Sequence, residues 1–141
     1  MMMTTHMKQR NTTVSEFDYP RLQEILERQP SAQAISGSGL RRELQRACVV
    51  APEHIPPYVV TMNTQLRLTD TNTGKATVYT LVFPEEAAPE DGRLSILSEL
   101  GVALLGCCVG DTVEYESSNG HNRFRIDMIC FQPEATKQFE M

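Results

Sequence analysis

Apolar residues recur at two different periods along this chain, and the period changes near residue 57. In the first part the spacing is helical. Leu22, Ile25 and Leu26 fall on one face of a segment that opens at Asp18-Tyr19-Pro20 and is closed by Pro30, which predicts a helix from Asp18 to Gln29. Leu40, Leu44, Ala47 and Cys48 repeat at i, i+4, i+7 and i+8, which predicts a second helix over Leu40–Val50. The loop between them, Pro30–Gly39, ends in Ser36-Gly37-Ser38-Gly39. Two short amphipathic helices on one short loop predict an antiparallel helical hairpin with the apolar stripes facing each other; the alternative is that both helices lie flat on the rest of the protein.

Pro52, Pro56 and Pro57 then mark a semi-rigid boundary. Beyond it Val60, Met62, Thr64, Leu66 and Leu68 alternate with polar residues, the signature of a half-buried strand. Asn72-Thr73-Gly74 is a turn signal, and Ala76–Phe83 returns as a second strand. An acidic loop, Pro84–Gly92, precedes a short third strand over Leu94–Leu97. Glu99–Gly106 reads as a very apolar helix capped by Ser98, and Val109-Gly110-Asp111 as a tight turn. Thr112–Glu116 and Arg123–Phe131 are two further strands joined around Asn119-Gly120. The expected plan is α+β: a polar tail over 1–14, a helical hairpin over 15–51, an antiparallel sheet with one packed helix over 52–135, and a short tail over 136–141.

Charge refines this plan. Residues 1–50 carry seven Lys/Arg against five Asp/Glu, and residues 51–141 carry six against thirteen. A net charge of −5 argues against a dedicated duplex-DNA binder. The four cysteines (48, 107, 108 and 130) form no C-x-x-C pair, and the three histidines are scattered, so buried free thiols are expected and no metal site or cofactor is. The polar first ten residues hold no apolar signal core and no long apolar run follows, so a cytoplasmic, non-membrane protein is expected.

The phrase Ser98-Glu99-Leu100-Gly101-Val102-Ala103-Leu104-Leu105-Gly106-Cys107-Cys108-Val109-Gly110-Asp111 is the most informative, although packing alone explains each of its residues. As S-x-x-G-x-A-L-L-G-x-x-V-G-D followed by a hairpin, it resembles the C-terminal domain shared by the Gre transcript-cleavage factors and their relatives. Val60–Thr64, Thr80–Glu85 and Phe131–Ala135 are similar to the branch called regulators of nucleoside diphosphate kinase. The resemblance spans residues 15 to 135. It implies an FKBP-like sheet domain that binds the rim of the RNA polymerase secondary channel, with the helical hairpin pointing into the channel.

In Gre factors two acids at the hairpin tip help hold a catalytic magnesium, a hard cation that wants carboxylate oxygens. Here no Asp or Glu lies between Glu27 and Glu43, and helices of this length reach only roughly 16–18 Å. Binding without transcript cleavage is therefore expected. The resemblance sets the rim contact at Leu97, Ser98 and Glu99, where only Ser98 matches the family's Asp-Ser-Pro. Glu85, Glu86 and Asp91 are candidate acidic partners for a basic rim, or simply a solvated loop. Arg41, Arg42 and Arg46 are candidates to meet acidic or nucleic-acid surface inside the channel, or merely the hairpin's solvated face; Arg42 and Arg46 are expected to share a helix face. A peptidyl-prolyl isomerase is the alternative reading. It rests on the fold alone, which does not carry function. A direct link to nucleoside diphosphate kinase has no recognisable surface in the residues, and no phosphate-binding glycine motif is present.

Overall fold

The computed structural model describes residues 12–28, 35–117 and 120–136. In chain order the elements are β1 (Thr13–Ser15), α1 (Asp18–Arg28), α2 (Ile35–Gln45), β2 (Cys48–Val50), β3 (Gln65–Asp70), β4 (Ala76–Val82), β5 (Arg93–Ser95), α3 (Glu99–Leu104), β6 (Thr112–Ser117) and β7 (Gly120–Phe131). Short 3-10 turns occupy Pro52–His54, Pro84–Glu86, Pro89–Asp91 and Glu134–Thr136. The fold class is α+β as expected. Several details differ, and each has a physical cause.

The second helix lies earlier than its apolar repeat predicts. It begins at Ile35, ends at Gln45, and releases Cys48–Val50 into a strand that pairs in parallel with Thr13–Ser15. Val49 and Val50 are β-branched and fit a pleated ribbon better than a last helical turn. The Cys48 N–H donates to the Thr12 carbonyl at 2.7 Å, which fastens the ribbon. The expected polar tail is corrected at the same place, because Thr12 and Val14 are buried. Ser15 Oγ accepts from the Asp18 N–H at 3.0 Å, so Ser15 caps the first turn of α1.

The five-stranded sheet has the order β5-β4-β3-β7-β6. It is mixed, not antiparallel. β3 pairs antiparallel with β4 and β7, and β6 with β7, but β5 runs parallel to β4. The chain leaves β4 and crosses through the 3-10 turns Pro84–Glu86 and Pro89–Asp91, so it re-enters the sheet edge in the direction it left. The first long strand starts at Gln65 and not at Val60. Val60, Thr61 and Met62 are all buried, which no half-buried strand allows, and Val60 exchanges backbone bonds with Gly106 and Cys107 after α3.

Leu22, Ile25, Leu26, Leu40 and Leu44 from α1 and α2 lie in the same core as Leu66, Leu68, Leu81, Leu104 and Ile126. The helices therefore pack on the sheet and α3 as well as on each other, which agrees with the flat-lying alternative. The connection over 29–34, where the tip was expected, lies outside the described residues. Ser98 caps α3 as predicted, its Oγ accepting from the Gly101 N–H at 3.0 Å. Of the free cysteines Cys107 is buried, Cys108 half-buried, and Cys48 and Cys130 exposed, so the expectation of buried thiols holds for only part of the set.

Candidate functional site

The start of α3 forms one wall of a cleft of about 400 Å³. Ser98, Glu99 and Leu100 face Pro89, Gly92, Arg93 and Leu94 across it, with Tyr79 and Tyr115 inside. The cap explains why the corner is stiff. Ser98 Oγ donates to the Ser95 carbonyl at 2.7 Å while accepting from Gly101, and Ser95 Oγ accepts from the Leu97 N–H at 3.0 Å. Glu99 projects from this corner, exposed, whereas Leu97 packs partly into the core. Burial first, then Tyr79 and the charges of Glu99 and Asp70, push the Tyr115 phenol above its ordinary value.

The six docking candidates do not form one patch. Asp91 precedes Gly92 at the end of the second 3-10 turn and is exposed, but it does not line the cleft. Glu85 instead lines a recess of about 250 Å³ with Arg21, Glu24, Arg28 and Phe83, where the Arg21 guanidinium lies 3.9 Å above the Phe83 ring. Glu86 lines a third recess with Gln65, Thr80, Arg93 and Phe131. The two 3-10 turns between β4 and β5 separate acids that are neighbours in sequence.

The arginine trio is also divided. Arg41 and Arg42 are exposed on α2, and Arg41 borders a recess with Tyr19, Gln23 and Glu27. Arg46 lies past the end of the helix, half-buried, with Nη1 4.0 Å from Glu43 Oε2. The expected shared face of Arg42 and Arg46 is thus corrected, because α2 stops at Gln45. Glu43 is buried and accepts a hydrogen bond from Thr12 Oγ1.

Arg93, Tyr79 and Tyr115 were not singled out from sequence. The two tyrosines are the only visible signal, since each interrupts a strand pattern with an aromatic ring and a polar tip. Among the described residues no group of three or more His, Cys, Asp or Glu is placed to hold a metal ion, and no helix is long and apolar enough to cross a membrane.

A separate charged ladder runs along the β6–β7 hairpin. His121 Nδ1 lies 2.8 Å from Glu116 Oε2 and Nε2 3.0 Å from Glu114 Oε1, while Arg123 reaches Glu114 Oε2 at 3.1 Å. Hydrogen bonds first to Glu116 and then to Glu114 raise the imidazole above 6.5. The folded hairpin therefore favours the protonated ring. This contribution is complete below the ordinary value of 6.5 and is lost as pH rises through the higher folded one. An NMR titration should place the His121 midpoint above that of an unfolded reference peptide, and Glu116→Gln should lower it. A midpoint equal to the reference would remove the ladder's role.

The capped apolar helix laid on a mixed sheet, followed by a tight turn and a long hairpin, lies within the segment matched by a family of transcription factors. The family described as "Transcription elongation factor, GreA/GreB, C-term" matches residues 55–130. This chain belongs to the GreA/GreB transcription elongation factor family. It is 32% identical over 127 residues to the regulator of nucleoside diphosphate kinase of Escherichia coli (strain K12), covering 89% of this chain and 93% of that one. Transcription elongation factor GreA of Nautilia profundicola is 37% identical over 89 residues, 63% of this chain and 55% of that one. Among solved structures, a prokaryotic transcription elongation factor GreA/GreB from Nitrosomonas europaea has a TM-score of 0.72 at 36% identity, covering 85% of this chain and 99% of that one.

Proposed function

We propose that this chain is a non-catalytic transcription regulator that docks on RNA polymerase near the rim of the secondary channel. The observation that carries the reading is the stiff corner at Leu97, Ser98 and Glu99. In a chain of this family it presents an exposed acid beside a partly apolar cleft, at the segment where the resemblance sets the rim contact. Asp91, exposed one residue before Gly92 of the cleft wall, is the candidate second acid of the contact. Glu85 and Glu86 face other recesses and contribute at most to the general negative field. Arg41 and Arg42, exposed on α2, are the basic groups that face a channel wall in this reading.

The chain does not stimulate transcript cleavage. Each helix has 11 residues, and no carboxylate lies between Glu27 and Glu43 to reach a catalytic metal. Occupying the rim would exclude other factors that use it. Purified polymerase core should bind the protein on a native gel, and excess Gre factor should displace it. Glu99→Lys should weaken binding by about tenfold at low salt, with a smaller effect at high salt because an exposed charge is screened. Rapid shortening of transcripts in stalled complexes, or an unchanged affinity for Glu99→Lys, would contradict the respective half of this reading.

A further inference from the structure

The N-terminus of α1 meets the segment after β7 in a buried polar junction that the docking reading does not use. Asp18, the first residue of α1, is 6% exposed, and so is Glu134 in the terminal 3-10 turn. Ser15, Thr61 and Thr64 around them are buried as well. Ser15 Oγ accepts from the Asp18 N–H, and the Met62 N–H donates to the Asp18 carboxyl. Thr61 Oγ1 donates to Glu134 Oε1 at 2.7 Å, and Thr64 Oγ1 lies 3.0 Å from the same hydroxyl. Gln132 Nε2 donates to the carbonyls of Pro56 and Val59 at 2.8 and 2.7 Å, which seats the segment after β7 on the segment before β3. Three stretches distant in sequence thus converge on two carboxyl groups.

Two carboxylates sharing a buried site cannot both ionise without repulsion and loss of hydration. The charged groups that face Asp18 are Glu134 from the terminal turn and Arg21 from α1. Ser15 and the Met62 backbone supply uncharged partners from β1 and the segment before β3. Arg21 also lies over the Phe83 ring, so it is shared between this junction and the recess beside it.

We propose that Asp18 and Glu134 form a proton-operated clasp, which fastens α1 and the terminal turn to residues 61–64 while one carboxyl is protonated and loosens when both are ionised. Burial first, and the charge of Glu134 second, hold the Asp18 carboxyl at about 7, against an ordinary 3.8. Arg21, Ser15 and the Met62 N–H oppose this shift without cancelling it. Because the folded value exceeds the unfolded one, stability is greatest below about pH 4 as far as this group is concerned. It falls as pH rises to about 7 and is not altered further by Asp18 beyond that. Since α1 carries Leu22, Ile25 and Leu26 into the core, an ionised clasp shifts the helix on its seat.

The test uses the full chain. Amide NMR signals of residues 13–28 and 132–136 are followed from about pH 5 to 9, a range that spans the expected change. The two segments should move together with one midpoint near 7. Asp18→Asn, which mimics the protonated form, should hold both at their low-pH positions throughout. Glu134→Gln removes the like charge and should lower the midpoint by about one unit. A joint transition that survives in Asp18→Asn overturns the proposal. So does a wild-type titration confined to the neighbourhood of Asp18 with the terminal turn unmoved.

Discussion

Gly101→Ala is expected to destabilise the protein by about 3 kcal/mol, although the change raises helix propensity by about 1 kcal/mol. A Cβ at this position would lie 2.2 Å from the Ser95 carbonyl oxygen, 3.0 Å from Ser98 Oγ and 3.1 Å from Ile96 Cα. The nearest of these atoms is backbone and cannot rotate away. Relief requires α3 and the Ser95–Ser98 corner to separate, which also stretches the bond from the Gly101 N–H to Ser98 Oγ that caps the helix. Thermal unfolding should show a fall of the midpoint on the order of 10 °C. Gly74→Ala is the comparison, since Gly74 carries a left-handed backbone demand (φ 79°) that helical Gly101 lacks, but has open space around it. Its cost should be only about 1 kcal/mol. Equal melting of Gly101→Ala and wild type would mean that α3 does not approach the corner this closely. The same variant bears on the proposed docking contact, because Glu99 moves with the corner that α3 displaces.

Thr12→Val is expected to cost about 1.5–3 kcal/mol, the range for losing a hydrogen bond to a buried charged group. Glu43 is 3% exposed, and Thr12 Oγ1 donates to its carboxylate across a separation of 31 residues. Valine keeps the shape of threonine and removes the donor, while Arg46 remains at 4.0 Å. The physical claim is about desolvation: a carboxylate withdrawn from water needs its donors. Adding Glu43→Leu should therefore recover most of the loss, because replacing both members of a buried polar pair by apolar groups is far less costly than replacing one. The four melting curves of this double-mutant cycle give the coupling directly. If Thr12→Val melts like wild type, or if the double variant is worse than the single, Glu43 is satisfied without the N-terminal ribbon. A methyl of Thr12 also lies where a Cβ on Gly106 would be, at 2.6 Å, so this ribbon packs tightly on the end of α3.

Both effects show where reading the residues in order was sufficient and where it was not. The cap at Ser98, the turns at Gly74 and Gly110, and the hairpin that ends in β7 depend on groups a few residues apart. Such interactions are written directly in local order, as are the periodic stripes of α1 and β3. The same local order supplied the family resemblance, because the motif from Ser98 to Asp111 is one continuous piece of chain. Ser15 is a cap of the same local kind, three residues from the Asp18 N–H that it accepts.

The corrections share a different cause. Leu40, Leu44 and Ala47 continue a helical stripe, yet the chain leaves the helix after Gln45 because β1 offers Cys48–Val50 a strand partner more than thirty residues away. Glu43 reads as one more charge on a solvated face until Thr12 is laid over it. Glu85, Glu86 and Asp91 read as one acidic cluster until the fold sets Glu85 and Glu86 in different recesses and Asp91 in the next 3-10 turn.

By itself, then, the amino-acid order determined the kind of fold, most but not all of the segments that become helix or strand, the capped apolar helix with its turn, and the absence of acids in the interhelical connection. Tertiary structure alone decided that β5 runs parallel to β4, that Glu43, Asp18 and Glu134 are buried, and which acids stand beside the start of α3. The reason is range. Periodicity and capping are energies between near neighbours, whereas burial of a charge and the direction of an edge strand depend on what distant segments bring to the same place.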